Sequence, residues 1–226
     1  QAVDNGEIQI ASGQPTADVL ALVQALANAE YASSEEAAYE HIDLTVNNGG
    51  PFDPASYGGD AAKALKVRQA FLLSVPRNEI IEKLIKPLNP DAKVRTSVLF
   101  IPGAEGYDEA ESYYSNYLGA DDENRAKAKA LLAEVGVSTP IDVEFWYTEG
   151  NVRRGQEYEL LKLSADSVGF NLIDESEPNW AVTETVFPDL NPHDAVIFAW
   201  AATSLSVSGD DQYLVLGGPS NWTGFD

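Results

Sequence analysis

The stretch from Ala195 to Ala202, AVIFAWAA, is apolar at every position and shows no alternation. A strand with one wet face alternates in polarity every second residue. An unbroken apolar run fits a central strand covered on both faces. That one segment predicts a layered architecture with helices packed on a sheet.

The remaining pattern supplies the layers. GEIQIASG, near the start, reads as a short alternating strand and turn. A helix is predicted to begin at Pro15 and Thr16, with Val19, Leu20, Leu22, Val23 and Leu26 as its apolar face. HIDLTV (41–46) predicts a strand that runs into a loop rich in Asn, Gly and Pro. In VRQAFLLSVPRNEIIEKL (67–84), Val67, Ala70, Phe71 and Ser74 share one helical face. Pro76 cannot continue that helix but suits the first turn of another, with Ile80, Ile81, Leu84 and Ile85 as its buried face. Residues 94–119 read as a strand-like run and a long tyrosine-rich loop. DDENRAKAKALLAEV is a helix with acids in its first turn and Gly136 as its stop. IDVEFWYT (141–148) is a strand, a helix follows and ends before Gly169, FNLI is a strand, and the chain closes on the 193–204 strand. Strands and helices alternate, which is an α/β pattern without repeats.

Composition removes whole classes of function. With 14 Lys and Arg against 36 Asp and Glu, the net charge is −22. Such a field repels phosphate backbones and anionic lipid surfaces, so no nucleic-acid role is expected. The acids are dispersed, which fits solubility or a salty or extracellular setting better than a cationic ligand. There is no Cys, which excludes disulfides, thiolate chemistry and zinc–cysteine sites. There is no Met either, and both ends look cut, as in a processed or truncated chain. No G-x-S-x-G, H-E-x-x-H or S-x-x-K is present, and SGDDQY lacks the spacing of a calcium loop. The two histidines, His41 and His193, sit before strands in this reading, where a structural role is expected.

Open α/β sheets bind ligands beyond the carboxyl ends of their strands. Three such ends stand out: Asn47 to Gly50, Trp146 to Glu149, and Trp200 to Ser204. Each offers amides, hydroxyls or aromatic walls, as a small-molecule cleft requires. Each also has a plain structural reading: Asn-Gly as a turn, Trp146 as core, Thr203 and Ser204 as a strand end.

Several segments resemble the family 5 extracellular solute-binding proteins, the oligopeptide, dipeptide and nickel binders that serve ABC importers. VRQAFLLSVPRNEIIEKL is similar to the family's signature segment. GEIQIASGQP, HIDLTVNNGGPF, RAKAKALLAEVGV, ADSVGFNL, HDAVIFAW and NWTGF resemble further family elements, in order along nearly the whole chain. The resemblance implies one α/β lobe over 1–226, like lobe II of a type II periplasmic binding protein, with a mixed central sheet flanked by helices. A first lobe and a signal or lipoprotein segment are then expected outside this chain. It implies that 67–84 is a structural helix pair covering the sheet and not the ligand site.

The implied function is extracytoplasmic, in the periplasm or as a cell-surface lipoprotein. A monomer binds a small solute, an oligopeptide for preference, between the lobes and delivers it to an ABC permease in the membrane, without chemistry, cofactor or metal. Trp200 is the expected wall, Thr203, Ser204 and Asn47 the polar contacts, and Tyr147, Asn221 and Trp222 complete the set. Peptide binders of the family often place an acid three residues after the Trp to hold the α-ammonium. Here that position is Thr203, which cannot offer that charge-assisted bond. The solute is then a peptide held differently, a sugar or another small molecule. The family's I-D-R also stands here as Val75-Pro76-Arg77, which changes how the second helix starts. Two rivals stay open: a secreted acidic hydrolase with an unlocated carboxylate pair, and a non-catalytic adaptor using the 107–118 loop.

Overall fold

A computed structural model describes residues 1–13, 16–32, 38–97, 100, 102–108, 115–178, 193–201, 221 and 223–224. Its elements are α1 (Ala17–Gln24), β1 (Ala38–Leu44), α2 (Ala61–Ser74), α3 (Arg77–Ile80) running into a π-helical turn (Ile81–Ile85), α4 (Asp121–Val135), β2 (Ile141–Trp146), α5 (Val152–Val168), β3 (Phe170–Asp174) and β4 (Ala195–Ala201). The strands form one mixed sheet in the order β1-β4-β2-β3. β1 runs antiparallel to β4, and β2 runs parallel to both β4 and β3.

β4 is central, as its unbroken apolar run requires. Ala195 and Ile197 face the main core, together with Val143, Phe145, Phe170 and Leu172 of the neighbouring strands. Val196 and Phe198 point to the other face, where they pack with Trp146 and Trp200. Helices α2, α4 and α5 cover the first face. Phe71 of α2 sits at its centre with no exposure, 5.1 Å from Phe52 and 5.3 Å edge-on from Phe170 by ring centroids. Burying a side chain of that kind stabilises by roughly 1.5–3 kcal/mol.

Local chemistry sets the helix limits. Asp60 and Asn151 cap α2 and α5 through their side-chain oxygens, accepting from Lys63 N and Arg154 N. α4 and α5 stop at Gly136 (φ 60°) and Gly169 (φ 119°), left-handed positions that a residue with a Cβ resists.

The break between α2 and α3 shows how a missing donor is compensated. Pro76 has no N–H, so the carbonyl of Leu72 loses its helical partner. The Arg77 guanidinium takes that place, donating to Leu72 O at 2.7 Å. Ser74 Oγ donates to Phe71 O at 2.6 Å, and Ser164 Oγ of α5 donates to Ser74 O at 2.6 Å. Pro76 also has no side chain to cap α3. Asp121, the first residue of α4, supplies the carboxylate instead: Oδ2 accepts from Glu79 N at 2.9 Å, and Oδ1 from Asn78 Nδ2 at 3.0 Å. The substituted cap therefore ties α3 to α4.

Several expectations change. Val67, Ala70, Phe71 and Ser74 are buried as the spacing predicts. Ile80, Ile81, Leu84 and Ile85 are only partly buried: Ile80, Ile81 and Ile85 line a cavity, and Ile80 also packs against the core. GEIQIASG forms no strand: the amides of Gly6, Glu7 and Ile8 donate back to Val3 O and Ala2 O in a local turn, and among the described residues no strand ladder includes it. Residues 94–97 are not a strand either, although Arg95 donates to Ala38 O at 3.3 Å. α1 ends at Gln24, and of its predicted apolar face Leu20 alone is buried, while Leu22 is 70% exposed. His41 lies inside β1, not before it.

Candidate functional site

Strand direction decides which predicted residues can meet. β2, β3 and β4 run in one direction but are staggered: Phe145 and Trp146, at the end of β2, lie beside Ala195 and Val196, at the start of β4, so the pole that carries Trp200 is the end of β4 alone. β1 is antiparallel, so it begins at that pole: Ala38 pairs with Ala201, Tyr39 with Trp200, and Leu44 with Ala195. The carboxyl end of β1 therefore delivers Asn47 to the opposite pole. The extended chain from Tyr39 to Thr45 alone spans roughly 20 Å, too far for one small solute to touch both Trp200 and Asn47.

At that far pole the chain is knotted by structural hydrogen bonds. Asn48 Nδ2 donates to Asp194 Oδ1 and Glu144 N to Asp194 Oδ2, each at 2.9 Å. Thr45 Oγ1 donates to His193 O at 2.7 Å, and Val46 N to Thr223 O at 2.8 Å. Asn47 is exposed and lies against Gly224, where an added Cβ would stand 2.1 Å from its amide. Asn221 is buried in the same place and accepts from Thr223 Oγ1. Asn47 and Asn221 thus share one pole, and Trp200 the other. Thr203, Ser204 and Trp222 lie outside the described residues.

Tyr147 follows β2 and is buried in the helix-side core. It stacks on Tyr158 at 5.1 Å, and its hydroxyl donates to Asp174 Oδ2 at 3.1 Å. Trp146 is fully buried on the other face. Trp200 is half-buried beside Phe198, rings 5.4 Å apart and edge to face.

The pole that carries Trp200 also carries a cavity of about 480 Å³, on the helix side of the sheet. This is within the range of small-ligand sites. Its floor is the first half of β1, from Ala38 to Ile42, with Ile197 of β4. One wall is the α3 segment, through Arg77, Ile80, Ile81 and Ile85. The segment 93–97 forms the opposite rim, and Arg153 and Glu157 of α5 close the end. The helix pair expected to be structural therefore divides: α2 builds the core and α3 lines the cavity.

A charged cluster holds this cavity's end. Glu40 accepts from Arg154 Nε at 2.6 Å and from Arg153 Nη2 at 2.9 Å. Arg153 Nε also lies 3.4 Å from Glu157 Oε1. Burial pushes the Glu157 carboxyl up to about 7, Glu40 adds to the rise, and the two arginines oppose it. Arg95 is fixed over the Tyr39 ring at 4.8 Å and donates to Ser97 O, Ala38 O and Phe100 O.

On the far face of β1, His41 Nε2 stands 3.6 Å from Asp43 Oδ1. The spacing is that of an ion pair, but burial lowers His41 to about 4 and raises Asp43 to about 7. Between those values both are uncharged, so we read the contact as neutral imidazole beside carboxylic acid. Among the described residues no group of three or more His, Cys, Asp or Glu is placed to hold a metal ion.

Sequence reading missed Glu40, Arg77, Arg95, Arg153 and Glu157. A charged residue inside a strand, and an Arg-Arg pair with Glu157 one turn on, were visible signals. Their meeting was not, because Glu40 and Arg153 are 113 residues apart.

The family description that matches this sequence is the bacterial extracellular solute-binding proteins, family 5 middle region, over residues 1–222. No curated protein sequence matches the chain. Among solved structures it is similar to a periplasmic EDTA-binding protein, EppA, with a TM-score of 0.75 and 19% identity over 99% of this chain and 41% of that one. It is similar to the ABC transporter substrate-binding protein CtaP of Listeria monocytogenes, with a TM-score of 0.67 and 16% identity over 99% of this chain and 41% of that one. DppA of Helicobacter pylori, an ABC transporter-associated periplasmic binding protein solved with the peptide STSA, gives 0.62 and 18% over 92% of this chain and 35% of that one. The chain spans about two fifths of the length of the first two. Among the described residues no helix is long and apolar enough to cross a membrane.

Proposed function

The chain belongs to the bacterial extracellular solute-binding proteins of family 5, and on that premise we propose that it is one lobe of a two-lobed receptor for an ABC importer. The solute lies between this lobe and the rest of the protein, and the closed form docks on a membrane permease outside the cytoplasm. No chemistry is performed. The protein acts as a monomer, and an oligopeptide is the favoured solute class, in keeping with the peptide held by DppA. EppA binds EDTA, so a likeness of fold does not fix the solute.

The observation that carries this reading is a cavity of about 480 Å³, lined by both isoleucines and charged groups on the helix side of the pole where β4 ends; half-buried Trp200 stands at the same pole on the other face of the sheet. Trp200 serves as a wall, with Thr203 and Ser204 next along the chain as polar contacts. Asn47 and Asn221 are not assigned to the solute. Tyr147, buried against Tyr158 and Asp174, is not assigned to the solute either. Ligand contact with both lobes shifts the population toward the closed form.

A thermal-shift screen of the full-length protein tests this, with the 226-residue chain alone as control. The panel holds short peptides, N-acetylated peptides and oligosaccharides. A shift confined to the full-length protein and to one class supports a two-lobed receptor. N-acetylated peptides that match free ones support the role given to Thr203. Absence of any shift, or turnover of a glycan or ester substrate, would move the reading to the adaptor or the hydrolase.

A further inference from the structure

The cavity beside β1 holds two oxygens that hydrogen bonding leaves unused. Glu157 Oε2 and Thr96 Oγ1 are both buried without a partner, and both residues line this cavity. Glu157 is 4% exposed and Thr96 is 6% exposed. Thr96 is otherwise fixed, since its N–H donates to Tyr107 Oη at 3.0 Å. A buried polar atom without a partner carries an uncompensated desolvation cost, and two on one cavity are the mark of a site completed by something else. The remaining wall is aliphatic, from Ile80, Ile81, Ile85 and Ile197.

Charge narrows what enters. The lining includes Arg77, Lys93, Arg95 and Arg153 against two carboxylates, Glu40 and Glu157. A further cation would meet that positive excess. An anion would face Glu157, whose free oxygen needs a donor. A neutral group that donates, or both donates and accepts, meets both requirements. It also suits a carboxyl that burial holds between its two protonation states near neutral pH.

We propose that this cavity is a subsite for an aliphatic arm of the solute that ends in an uncharged hydrogen-bond donor, a carboxamide or hydroxyl, held by Glu157 and Thr96. It rests on the solute-binding reading and on the peptide class favoured there. The arm's carbons replace water against the isoleucines, and its polar end supplies the bonds those two oxygens lack. The site then rejects arms of the same length that end in an ammonium, which meets the positive excess, in a carboxylate, which gives Glu157 no donor, or in a methyl group, which leaves both oxygens unpaired.

The test is calorimetric titration of the full-length protein with N-acetylated tripeptides of sequence Ala-Xaa-Ala. Xaa is glutamine, glutamate, lysine or norleucine. We expect the glutamine peptide to bind about tenfold or more tighter than the other three, the scale of one well-placed hydrogen bond in a buried site. Thr96→Val should abolish most of that preference while leaving the norleucine peptide within about twofold. Glu157→Gln, which keeps shape and polarity, should retain binding of the glutamine peptide. Binding of all four with equal affinity would overturn the subsite assignment and leave the receptor reading intact. So would a preference for glutamate or lysine, or a preference that survives Thr96→Val. If no peptide binds, the peptide-receptor reading falls and this assignment falls with it.

Discussion

Removing the Asp194 carboxylate should loosen the sheet at its join between β1, β2 and β4. Asp194 is 6% exposed, and its two oxygens each accept one bond at 2.9 Å, from Asn48 Nδ2 and Glu144 N. Its backbone adds two more across the same join, to Glu144 O and from Thr45 N. Hydrogen bonds to a charged group contribute about 1.5–3 kcal/mol each, so Asp194→Ala should cost about 3–5 kcal/mol and leave two part-buried donors without their acceptor. For a chain of this size that is a fall in Tm of roughly 6–20 °C by calorimetry. Asn48→Ala removes one of the two bonds and should cost about half as much. In a double-mutant cycle the two should couple by about 1–2 kcal/mol, since they share one contact. A fall of less than about 2 °C for Asp194→Ala, or a coupling near zero, would refute the claim that this carboxylate joins the three strands.

Three further outcomes follow from other parts of the structure. Phe71→Ala should cost about 3–5 kcal/mol by urea denaturation, because Phe52 and Phe170 cannot both close the gap. Asp121→Ala should cost about 1 kcal/mol by removing the cap of α3, and Pro76→Asp in that background should restore most of it by supplying a local cap. Asp43, raised to about 7 from 3.8, contributes stability that is complete below its unfolded value and is lost as pH rises through about 7. The Tm of Asp43→Asn relative to the unaltered protein should therefore climb between pH 5 and pH 8, by roughly 5 °C or more. His41, lowered to about 4, acts in the opposite sense and loses its contribution as pH falls through that value, but it is common to both proteins and cancels in the difference.

The layered fold was legible because local rules and tertiary demand agree in it. The run through Ala195 to Ala201 asks for burial on both faces, and β4 has neighbours on both edges and packing on both faces. The face of α2 followed from spacing alone. Strand direction was not legible. Nothing in HIDLTV says that β1 runs antiparallel, yet that one fact sends Asn47 away from Trp200. Helix α3 was misplaced for a related reason. Four partly buried aliphatic residues fit a sheet-covering face and a cavity wall equally well in sequence, and Arg153 and Glu40 decide between them only once they are brought together. Pro76 was correctly seen as a break, but its cap comes from Asp121, which no local rule connects to it.

The central claim is that solute is held at the pole where Trp200 and the cavity lie. Hydrogen–deuterium exchange on the full-length protein, with and without the solute that its thermal-shift screen identifies, tests it most directly. New protection is expected in β1 from Ala38 to Ile42, in α3 and the π-helical turn from Arg77 to Ile85, in residues 93–97 and in the first turns of α5. No change is expected at 45–50 or 221–224. Protection at that far pole, with none around the cavity, would contradict it.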